Sequence, residues 1–172
     1  MMKPYRCRLC GETYLGESAP DRCPYCGAAG KYVVPAAEWA DLAGIPASDP
    51  ETIDLCRGAL DLEVSNTAFY QASRKQAELM VNGAIFARLS KQEQEHAEVF
   101  ARLLSLPAPT IPQEGAPQPD AEKFDEAHRR EHRALKYYQD AALRAKAENV
   151  REVFRIVSEV ELEHLRLSNT YR

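Results

Sequence analysis

The chain has 172 residues, of which 45% are hydrophobic and 28% are charged, and its formal net charge is −4. That composition is ordinary for a globular protein with one medium domain, alone or with a small module. It offers no basic face for nucleic acid and no apolar run near the ~18–20 residues of a membrane span, so we expect neither partner.

The first segment, residues 1–36, contains four of the five cysteines and has no helical periodicity. These four form two C-x-x-C pairs with twelve residues between them, each followed by a glycine: Cys7, Cys10, Gly11, Cys23, Cys26 and Gly27. Glycine permits the tight turn in which backbone N–H groups point at sulfur. The pattern predicts a tetrahedral four-thiolate site, where zinc would be structural and iron would carry single electrons. Without a secretory apolar core, we expect a cytoplasmic protein with reduced thiols.

Helices are predicted from residue 49 onward. Asp49 is a plausible N-cap and Pro50 suits the first helical position. The first helix is expected to run to about Met80, with a tight turn at 81–83 ("VNG") and a second helix from about Ala84 to Leu104. Asp120 is expected to cap a third helix over 121–147, and after a turn at Glu148 and Asn149 a fourth helix ends near Asn169.

The segment between the second and third helices cannot be helical. "PAPTIPQEGAPQP", at 107–119, has five prolines and a glycine. As extended chain it reaches ~40 Å, which is about the length of a 25-residue helix. Two hairpins joined by one long crossover predict a mainly α, ferritin-like four-helix bundle. The expected domains are a four-cysteine module at 1–36, a linker at 37–48 and the bundle at 49–172, with its crossover at 105–120.

The two predicted hairpins are copies of one another, offset by 68 residues. Equivalent positions carry the same residue at spacings of 7, 16, 7 and 3 in both halves: Glu63, Tyr70, Phe86, Glu93 and His96 match Glu131, Tyr138, Phe154, Glu161 and His164. Residues seven or three apart share a helix face. Because the aromatic members face inward, the carboxylates and imidazoles do so as well.

Four buried carboxylates require compensation, since an isolated buried ion costs several kcal/mol. Two divalent cations would balance their charge. One Glu from each of two helices and a Glu-x-x-His from each of the other two is the carboxylate-bridged di-iron or di-manganese arrangement. Iron or manganese suits this oxygen and imidazole set, with zinc as a replacement. The predicted metal ligands and catalytic residues are Glu63, Glu93, His96, Glu131, Glu161 and His164.

Over nearly the whole chain, these motifs resemble the rubrerythrin family in the order with its rubredoxin-like module first. "CRLCG…APDRCPYCG" resembles the rubredoxin-like domain, and "DLEVSNTAFY", "KQEQEHAEVF", "REHRALKYY" and "EVELEHLRL" resemble the four bundle helices. The resemblance implies a cytoplasmic peroxidase of oxidative-stress defence that reduces hydrogen peroxide. It also implies one Fe(Cys)4 site and one di-iron centre per chain, a homodimer, and rubredoxin or an NAD(P)H-dependent reductase as electron donor.

One position departs from the family pattern. The third helix of rubrerythrins usually carries Glu-x-x-Glu, whereas here Ala134 follows Glu131 by three residues. His128, three residues before Glu131, is then either a seventh ligand or an exposed histidine in the stretch "HRREHR". Tyr70 and Tyr138 either donate hydrogen bonds to ligand carboxylates or fill the core.

Two other functions remain open at this point. The bundle could be a ferroxidase or iron-handling protein that oxidises Fe²⁺ with O₂, which the missing third-helix glutamate favours and the attached electron module disfavours. The chain could also be a structural two-module zinc protein that binds a partner.

Overall fold

The computed structural model describes all residues, 1–172. The N-terminal part is a small antiparallel sheet of order β2–β1–β3, made of β1 (Lys3–Cys7), β2 (Thr13–Gly16) and β3 (Val33–Pro35). β1 ends at Cys7, so the first C-x-x-C turn leaves directly from the central strand. Arg6 pairs with Thr13 on one side and Val34 on the other, which fixes the position of that turn in the sheet.

The rest of the chain is dominated by four long helices, which confirms the mainly α fold and the four-helix bundle. They are α1 (Pro50–Lys75), α2 (Met80–Leu103), α3 (Asp120–Arg144) and α4 (Glu148–Tyr171). α1 packs along α2 and α3 along α4, and an extended crossover joins the two hairpins. None of the helices combines the length and apolar character needed to cross a membrane. The strands fall within 1–36 and the helices within 49–172, and the division into domains at those bounds stays our proposal.

The start of α1 is the predicted one. Asp49 has extended backbone angles, and its side chain accepts the backbone N–H of Thr52 at 3.0 Å. Pro50 is the first helical residue, where its missing N–H costs nothing. Asp49 is therefore confirmed as the N-cap.

The predicted turn at 81–83 is wrong, because those residues lie in the first turn of α2. The chain reverses earlier, between Lys75 and Met80. A distant carboxylate decides the position: Asp120 accepts the backbone N–H groups of Glu78 and Leu79 at 3.1 and 3.2 Å. These N–H groups would otherwise be unpaired at the helix start, so a contact from α3 outweighs the local signal of Asn82 and Gly83.

Asp120 is also not the N-cap of α3. It is the first helical residue, Pro119 precedes it without a side-chain cap, and the side chain of Glu78 accepts the backbone N–H of Asp120 at 2.9 Å. The turn between α3 and α4 lies at 145–147 and not at Glu148 and Asn149. Its reason is again tertiary, since Thr52 of α1 accepts the backbone N–H of Lys146 at 3.0 Å.

A polar layer crosses the bundle between two apolar clusters. At one end, Phe69, Tyr70, Phe86 and Phe124 form a small cluster. At the other, Phe100, Tyr138 and Phe154 belong to a larger core that continues without interruption into the four cysteines and Val33 of the sheet. On every helix the predicted carboxylate lies between the residues of these two clusters. The module therefore packs against the bundle beside the polar layer.

Candidate metal centres

The four cysteines of the N-terminal module converge as the sequence predicted. Their sulfurs lie within 4.8 Å of one another, with 3.6 Å between Cys7 and Cys26 and 3.8 Å between Cys10 and Cys23. A tetrahedron with metal–sulfur bonds of about 2.3 Å has sulfur–sulfur edges of roughly 3.8 Å. All four are buried, and buried thiolates at this spacing can be ionised together only beside a cation.

The two cysteine turns have the same construction. Gly11 and Gly27 have φ of +84° and +81°, and each donates its N–H to the carbonyl of the first cysteine of its pair at 3.0 Å. An arginine stands directly before each pair and donates back to that glycine's carbonyl: Arg6 to Gly11 at 2.8 Å and Arg22 to Gly27 at 3.3 Å. Two positive charges are thus fixed beside the predicted metal.

The second cluster lies in the polar layer of the bundle and contains all six predicted Glu and His residues. It consists of two overlapping groups, in each of which the ligating atoms lie within 4.8 Å of one another. Both groups contain Glu93 and Glu161. The first adds Glu63 and His96, and the second adds Glu131 and His164. The overlap fits two metal positions that share Glu93 and Glu161 as bridging carboxylates, with one further carboxylate and one imidazole on each.

The Nδ1 atoms of both histidines face the carboxylates. His96 Nδ1 lies 3.4 Å from Glu161 Oε1 and 3.6 Å from Glu63 Oε1. His164 Nδ1 lies 2.9 Å from Glu93 Oε1 and 3.4 Å from Glu161 Oε2. The two rings are roughly parallel, with centroids 6.3 Å apart.

Hydrogen bonding tests whether this cluster fits metal ions. Most of its oxygens and both Nδ1 atoms are buried without any hydrogen-bond partner: Glu63 Oε2, both oxygens of Glu93 and Glu161, Glu131 Oε2, His96 Nδ1 and His164 Nδ1. Buried polar atoms are nearly always paired, and leaving one unpaired costs about 1–3 kcal/mol. So many unpaired atoms aimed at one another fit a cation-binding site, and their oxygen and imidazole chemistry fits iron.

The pKa values of the cluster also indicate that it needs positive charge. Burial, together with the charge of Glu93, raises the pKa of Glu63 and of Glu131 well above the ordinary range. By contrast, the pKa values of Glu93 and Glu161 are lowered and those of His96 and His164 are raised, so ionised carboxylates here need positive charge beside them, from protonated imidazoles or from cations.

Two tyrosines cross the bundle to reach these carboxylates. Tyr138 of α3 donates its hydroxyl to Glu63 Oε1 at 2.5 Å, and Tyr70 of α1 donates to Glu131 Oε1. Burial and the adjacent carboxylate raise the pKa of both phenols, so they remain protonated donors. Of the two roles left open by the sequence, the structure shows the hydrogen bond, and both rings fill the core as well.

The outward Nε2 atoms of the two imidazoles have different partners. His96 Nε2 lies 2.9 Å from the backbone carbonyl oxygen of Cys26, and His164 Nε2 lies 2.9 Å from Gln92 Oε1. Because a carbonyl oxygen only accepts, Nε2 of His96 carries a proton, which leaves Nδ1, on the carboxylate side, as the ring nitrogen that can bind a cation. This orientation is the usual one for a metal-binding histidine. It also joins the two candidate metal centres through a single hydrogen bond.

Further polar contacts hold the module against α2 and α4. Arg102 of α2 donates to the carbonyl of Cys10 at 3.1 Å. Glu159 of α4 accepts from Lys31 at 3.0 Å and from the Tyr32 hydroxyl at 2.9 Å. The module is thus tied to both helices that carry the predicted Glu-x-x-His ligands.

The remaining candidates lie outside the carboxylate cluster. His128 is half-buried, with Nδ1 3.4 Å from Ser168 Oγ, and it belongs to neither ligand group. Its part as a ligand stays an untested prediction. Glu163 pairs with Arg166, and Arg22 lies 3.4 Å from it. The fifth cysteine, Cys56, is fully buried away from both centres, and burial raises the pKa of its thiol to about 12.

Sequence reasoning missed two residues near the bundle cluster, Gln92 and Asn66. Gln92 holds the outer nitrogen of His164. Asn66 lies one turn beyond Glu63 on the same helix, is 1% exposed, and has no partner for either amide atom. Both break the internal repeat, since their equivalents 68 residues on are Val160 and Ala134. A polar residue whose repeat mate is apolar was the signal available in the sequence.

Comparisons with known proteins agree with these two centres. A family model described as the rubrerythrin, rubredoxin-like domain matches residues 5–32. Reverse rubrerythrin-1 of Clostridium acetobutylicum is 34% identical over 113 residues, which cover 60% of this chain and 62% of that protein's length. No solved structure matches the chain.

A four-helix bundle with four buried carboxylates and two imidazoles, joined to a four-cysteine module, defines a ferritin-like metalloprotein of the carboxylate-bridged class. Its two clusters fit one Fe(Cys)4 site and one di-iron centre. The matched module at residues 5–32 and the similarity to reverse rubrerythrin-1 support a relationship to the rubrerythrin family.

Proposed function

We propose that the protein is an oxidoreductase of oxidative-stress defence, a non-haem di-iron peroxidase that reduces hydrogen peroxide to water with electrons relayed through the Fe(Cys)4 site. The observation that carries the proposal is the 2.9 Å contact between His96 Nε2 and the carbonyl of Cys26. An electron carrier linked by one hydrogen bond to a predicted di-iron ligand has a direct use in a reductase. A ferroxidase, by contrast, draws its electrons from the incoming iron.

The balance of the reaction is H₂O₂ + 2e⁻ + 2H⁺ → 2H₂O. When bound, the reduced iron pair supplies the two electrons. Glu93 and Glu161 belong to both ligand groups, so they would hold the two ions close together, and Glu63, His96, Glu131 and His164 would complete their coordination. These assignments of ligands remain part of the proposal.

The surrounding protein keeps this set in one geometry. Tyr138 and Tyr70 hold one oxygen each of Glu63 and Glu131, which leaves the other oxygen of each carboxylate free for a cation. Cys26 and Gln92 hold the outer nitrogens of His96 and His164. Because these side chains are already oriented, they do not have to move during the reaction.

The proposal extends to the partners of the protein. The Fe(Cys)4 site would be recharged one electron at a time by rubredoxin or by an NAD(P)H-dependent reductase, and the protein would act as a homodimer. We also propose a cytoplasmic location, because none of the five cysteines forms a disulfide and a reducing compartment keeps cysteines in that state.

The relay is tested with a Cys7→Ser variant and a matched control, Cys56→Ala, which removes a buried thiol outside both centres. Single turnover of the reduced bundle with H₂O₂ should survive in both variants. Steady-state reduction through the donor should be abolished only in Cys7→Ser. Unchanged steady-state turnover in Cys7→Ser would contradict the proposed electron relay.

A second candidate, a ferroxidase, is favoured by one observation: Ala134 is a fully buried apolar residue where the resemblance implies a further glutamate. Rapid mixing separates the two functions. The fully reduced, iron-loaded protein is mixed with stoichiometric H₂O₂ or with O₂, and the iron–thiolate and di-iron absorption are followed. Much faster oxidation by peroxide supports the peroxidase. Faster oxidation by O₂ that continues as Fe²⁺ is added supports the ferroxidase, and no oxidation by either overturns both.

A further inference from the structure

Asn66 of α1 is a buried amide for which the protein supplies no partner. Its side chain is 1% exposed, and neither Oδ1 nor Nδ2 has a hydrogen bond. Such groups are rare, because burying an amide without a partner destabilises the fold. Asn66 also breaks the internal repeat, so the duplication of the hairpin does not account for it. The amide is explained if it binds something that is not part of the protein.

Asn66 lies on the inward face of α1. Buried residues recur on this helix at alternating spacings of three and four, which keeps them on one face: Cys56, Ala59, Glu63, Asn66, Tyr70 and Ser73. Asn66 thus stands between Glu63, which belongs to one ligand group, and Tyr70, which bonds Glu131 of the other. Its amide therefore faces the polar layer at the level between the two predicted metal positions.

The helix opposite Asn66 offers its amide no partner. The two crossing tyrosine–carboxylate pairs set the register of α1 against α3, and Asn66 is near the midpoint of that register. The inward-facing residue at the same midpoint of α3 is Ala134, which is fully buried. The side chain of an alanine can neither donate nor accept a hydrogen bond, so nothing on α3 competes for the amide of Asn66.

Metal ions account for the other unpaired atoms of the polar layer, but not for Asn66 Nδ2. The carboxylate oxygens and the Nδ1 atoms of the imidazoles can each bind a cation. An amide nitrogen can only donate, and a cation cannot accept its N–H groups. The tyrosine hydroxyls of this layer are already hydrogen-bonded to carboxylates. Asn66 is therefore the free donor beside the predicted metal pair, and its acceptor is an atom that the protein does not supply.

We propose that Asn66 holds the substrate at the carboxylate cluster: Nδ2 donates a hydrogen bond to one oxygen of hydrogen peroxide, and Oδ1 accepts one from a peroxide O–H. The inference rests on the proposed peroxidase function and names the residue that orients its substrate. Hydrogen peroxide matches the amide, because each of its oxygens carries both an O–H donor and lone pairs.

The role of Asn66 in the reaction is to bind and not to transfer a proton. In H₂O₂ + 2e⁻ + 2H⁺ → 2H₂O, the electrons come from the reduced iron sites and the protons from solvent. The N–H group of Asn66 stabilises the negative charge that develops on oxygen as the O–O bond breaks. A neutral amide supplies this donor without adding a fifth negative charge to the four carboxylates.

Binding is tested with azide, a small anion that accepts hydrogen bonds and binds oxidised iron. The oxidised, iron-loaded full chain is titrated with sodium azide and followed by the infrared band of bound azide, which iron–thiolate absorption does not overlap. The azide Kd should rise about tenfold in Asn66→Ala and in Asn66→Leu, as expected for one lost hydrogen bond to a charged ligand. Asn66→Leu keeps the branched shape of the side chain and Asn66→Ala makes space, so a rise in both excludes a steric cause.

Ser73→Ala is the matched control. It removes another buried polar group without a partner from the same face of α1, beyond Tyr70 and outside both ligand groups. The azide Kd should stay at the wild-type value in this variant. An unchanged Kd in both Asn66 variants, a rise in Asn66→Leu alone, or an equal rise in Ser73→Ala would overturn the inference.

Two further measurements separate substrate binding from other roles of Asn66. A competitive chelator titration with zinc should give the wild-type affinity for both metal equivalents of the bundle in Asn66→Leu. Loss of an equivalent would show that Asn66 is a metal ligand and would overturn the inference. The midpoint of thermal unfolding of the zinc-loaded Asn66→Leu variant should be at or above the wild-type value, because an unpaired buried amide is removed. A lower midpoint would show a structural role and would also overturn it.

Turnover is measured last. The value of kcat/KM for H₂O₂ should fall about tenfold in both Asn66 variants and stay unchanged in Ser73→Ala. Unchanged kcat/KM in the Asn66 variants would overturn the inference and leave the proposed function intact. No oxidation of the reduced wild type by H₂O₂ would overturn the proposed function, while the azide titration would still decide whether Asn66 donates to a small ligand in the cluster.

Discussion

Tyr138 of α3 donates a hydrogen bond to Glu63 of α1, across the bundle, with 2.5 Å between the two oxygens. The equivalent pair, Tyr70 and Glu131, crosses in the opposite direction. Each helix hairpin thus orients a carboxylate of the other, so the internal repeat supplies both the predicted ligands and the groups that hold them.

The first prediction concerns the hydrogen bond between Tyr138 and Glu63. Tyr138→Phe should lower the free energy of unfolding of the zinc-loaded protein by about 1.5–3 kcal/mol, because a hydrogen bond to a charged group is lost in the core. It should also weaken binding of the second metal equivalent. Urea unfolding and a competitive chelator titration measure the two effects. Tyr137→Phe is the control: its hydroxyl bonds only the carbonyl of Leu55, so stability falls by about 1 kcal/mol and metal binding should not change. Equal loss of metal in both variants would contradict the assignment.

The second prediction concerns Arg102 of α2, which binds the first cysteine turn. Arg102 donates to the carbonyl of Cys10, and reduction of an Fe(Cys)4 site adds one negative charge near it. Arg102→Met should therefore lower the reduction potential of this site by tens of mV, since ~1.4 kcal/mol corresponds to ~59 mV for one electron. Potentiometric titration of the iron–thiolate absorption measures it. Arg155→Met, on the exposed surface of α4, should leave the potential unchanged, and an unchanged potential in Arg102→Met would show that the charge is fully screened.

The third prediction compares the two cysteine turns. Gly11 and Gly27 both have positive φ, so alanine strains either turn by about 1–2 kcal/mol. A Cβ on Gly27 would also lie 2.9 Å from Gln92 Nε2 and 3.1 Å from Val160 Cγ1, whereas the closest atom to one on Gly11 belongs to Trp39, at 3.6 Å. Gly27→Ala should thus displace Gln92 or shift the module slightly and slow electron transfer to the bundle, and Gly11→Ala should not. Stopped-flow reoxidation of the reduced iron–thiolate site compares the rates, and equal rates would mean that this contact does not serve the transfer.

The fourth prediction concerns stability against acid. Asp120 belongs to a buried network with Asn82 and the fully buried Lys123, and these contacts outweigh burial and lower its pKa to about 2. A lowered carboxyl pKa stabilises the fold above the unfolded value of about 3.9, and this stabilisation is lost as the pH falls towards 2. Asp120→Asn should cost about 2–3 kcal/mol at pH 7 and progressively less below pH 4. Urea unfolding across pH 3–7 gives the difference from wild type. Asp54→Asn, at an exposed surface pair, should show almost none of it.

The internal repeat explains how far the sequence could lead. Glu63, Glu93 and His96 recur 68 residues later, so the inward faces of four helices and the predicted ligand set followed from the internal repeat together with helical periodicity. The N-cap role of Asp49 was also predictable, because Asp49 and the N–H group that it accepts, that of Thr52, are close in the sequence. The turn at 81–83 failed because Asp120, 41 residues from Leu79, supplies the acceptor that fixes the reversal.

The sequence by itself determined the element types, the two metal-binding patterns and the polar layer of the bundle, because these depend on spacing along one chain. Only the tertiary structure decided that Glu93 and Glu161 belong to both ligand groups, that Cys26 meets His96, and that Gln92 holds His164. Each of those contacts joins residues from different elements. Their distances depend on how the module and the four helices pack, and packing is set by the whole core rather than by any local pattern.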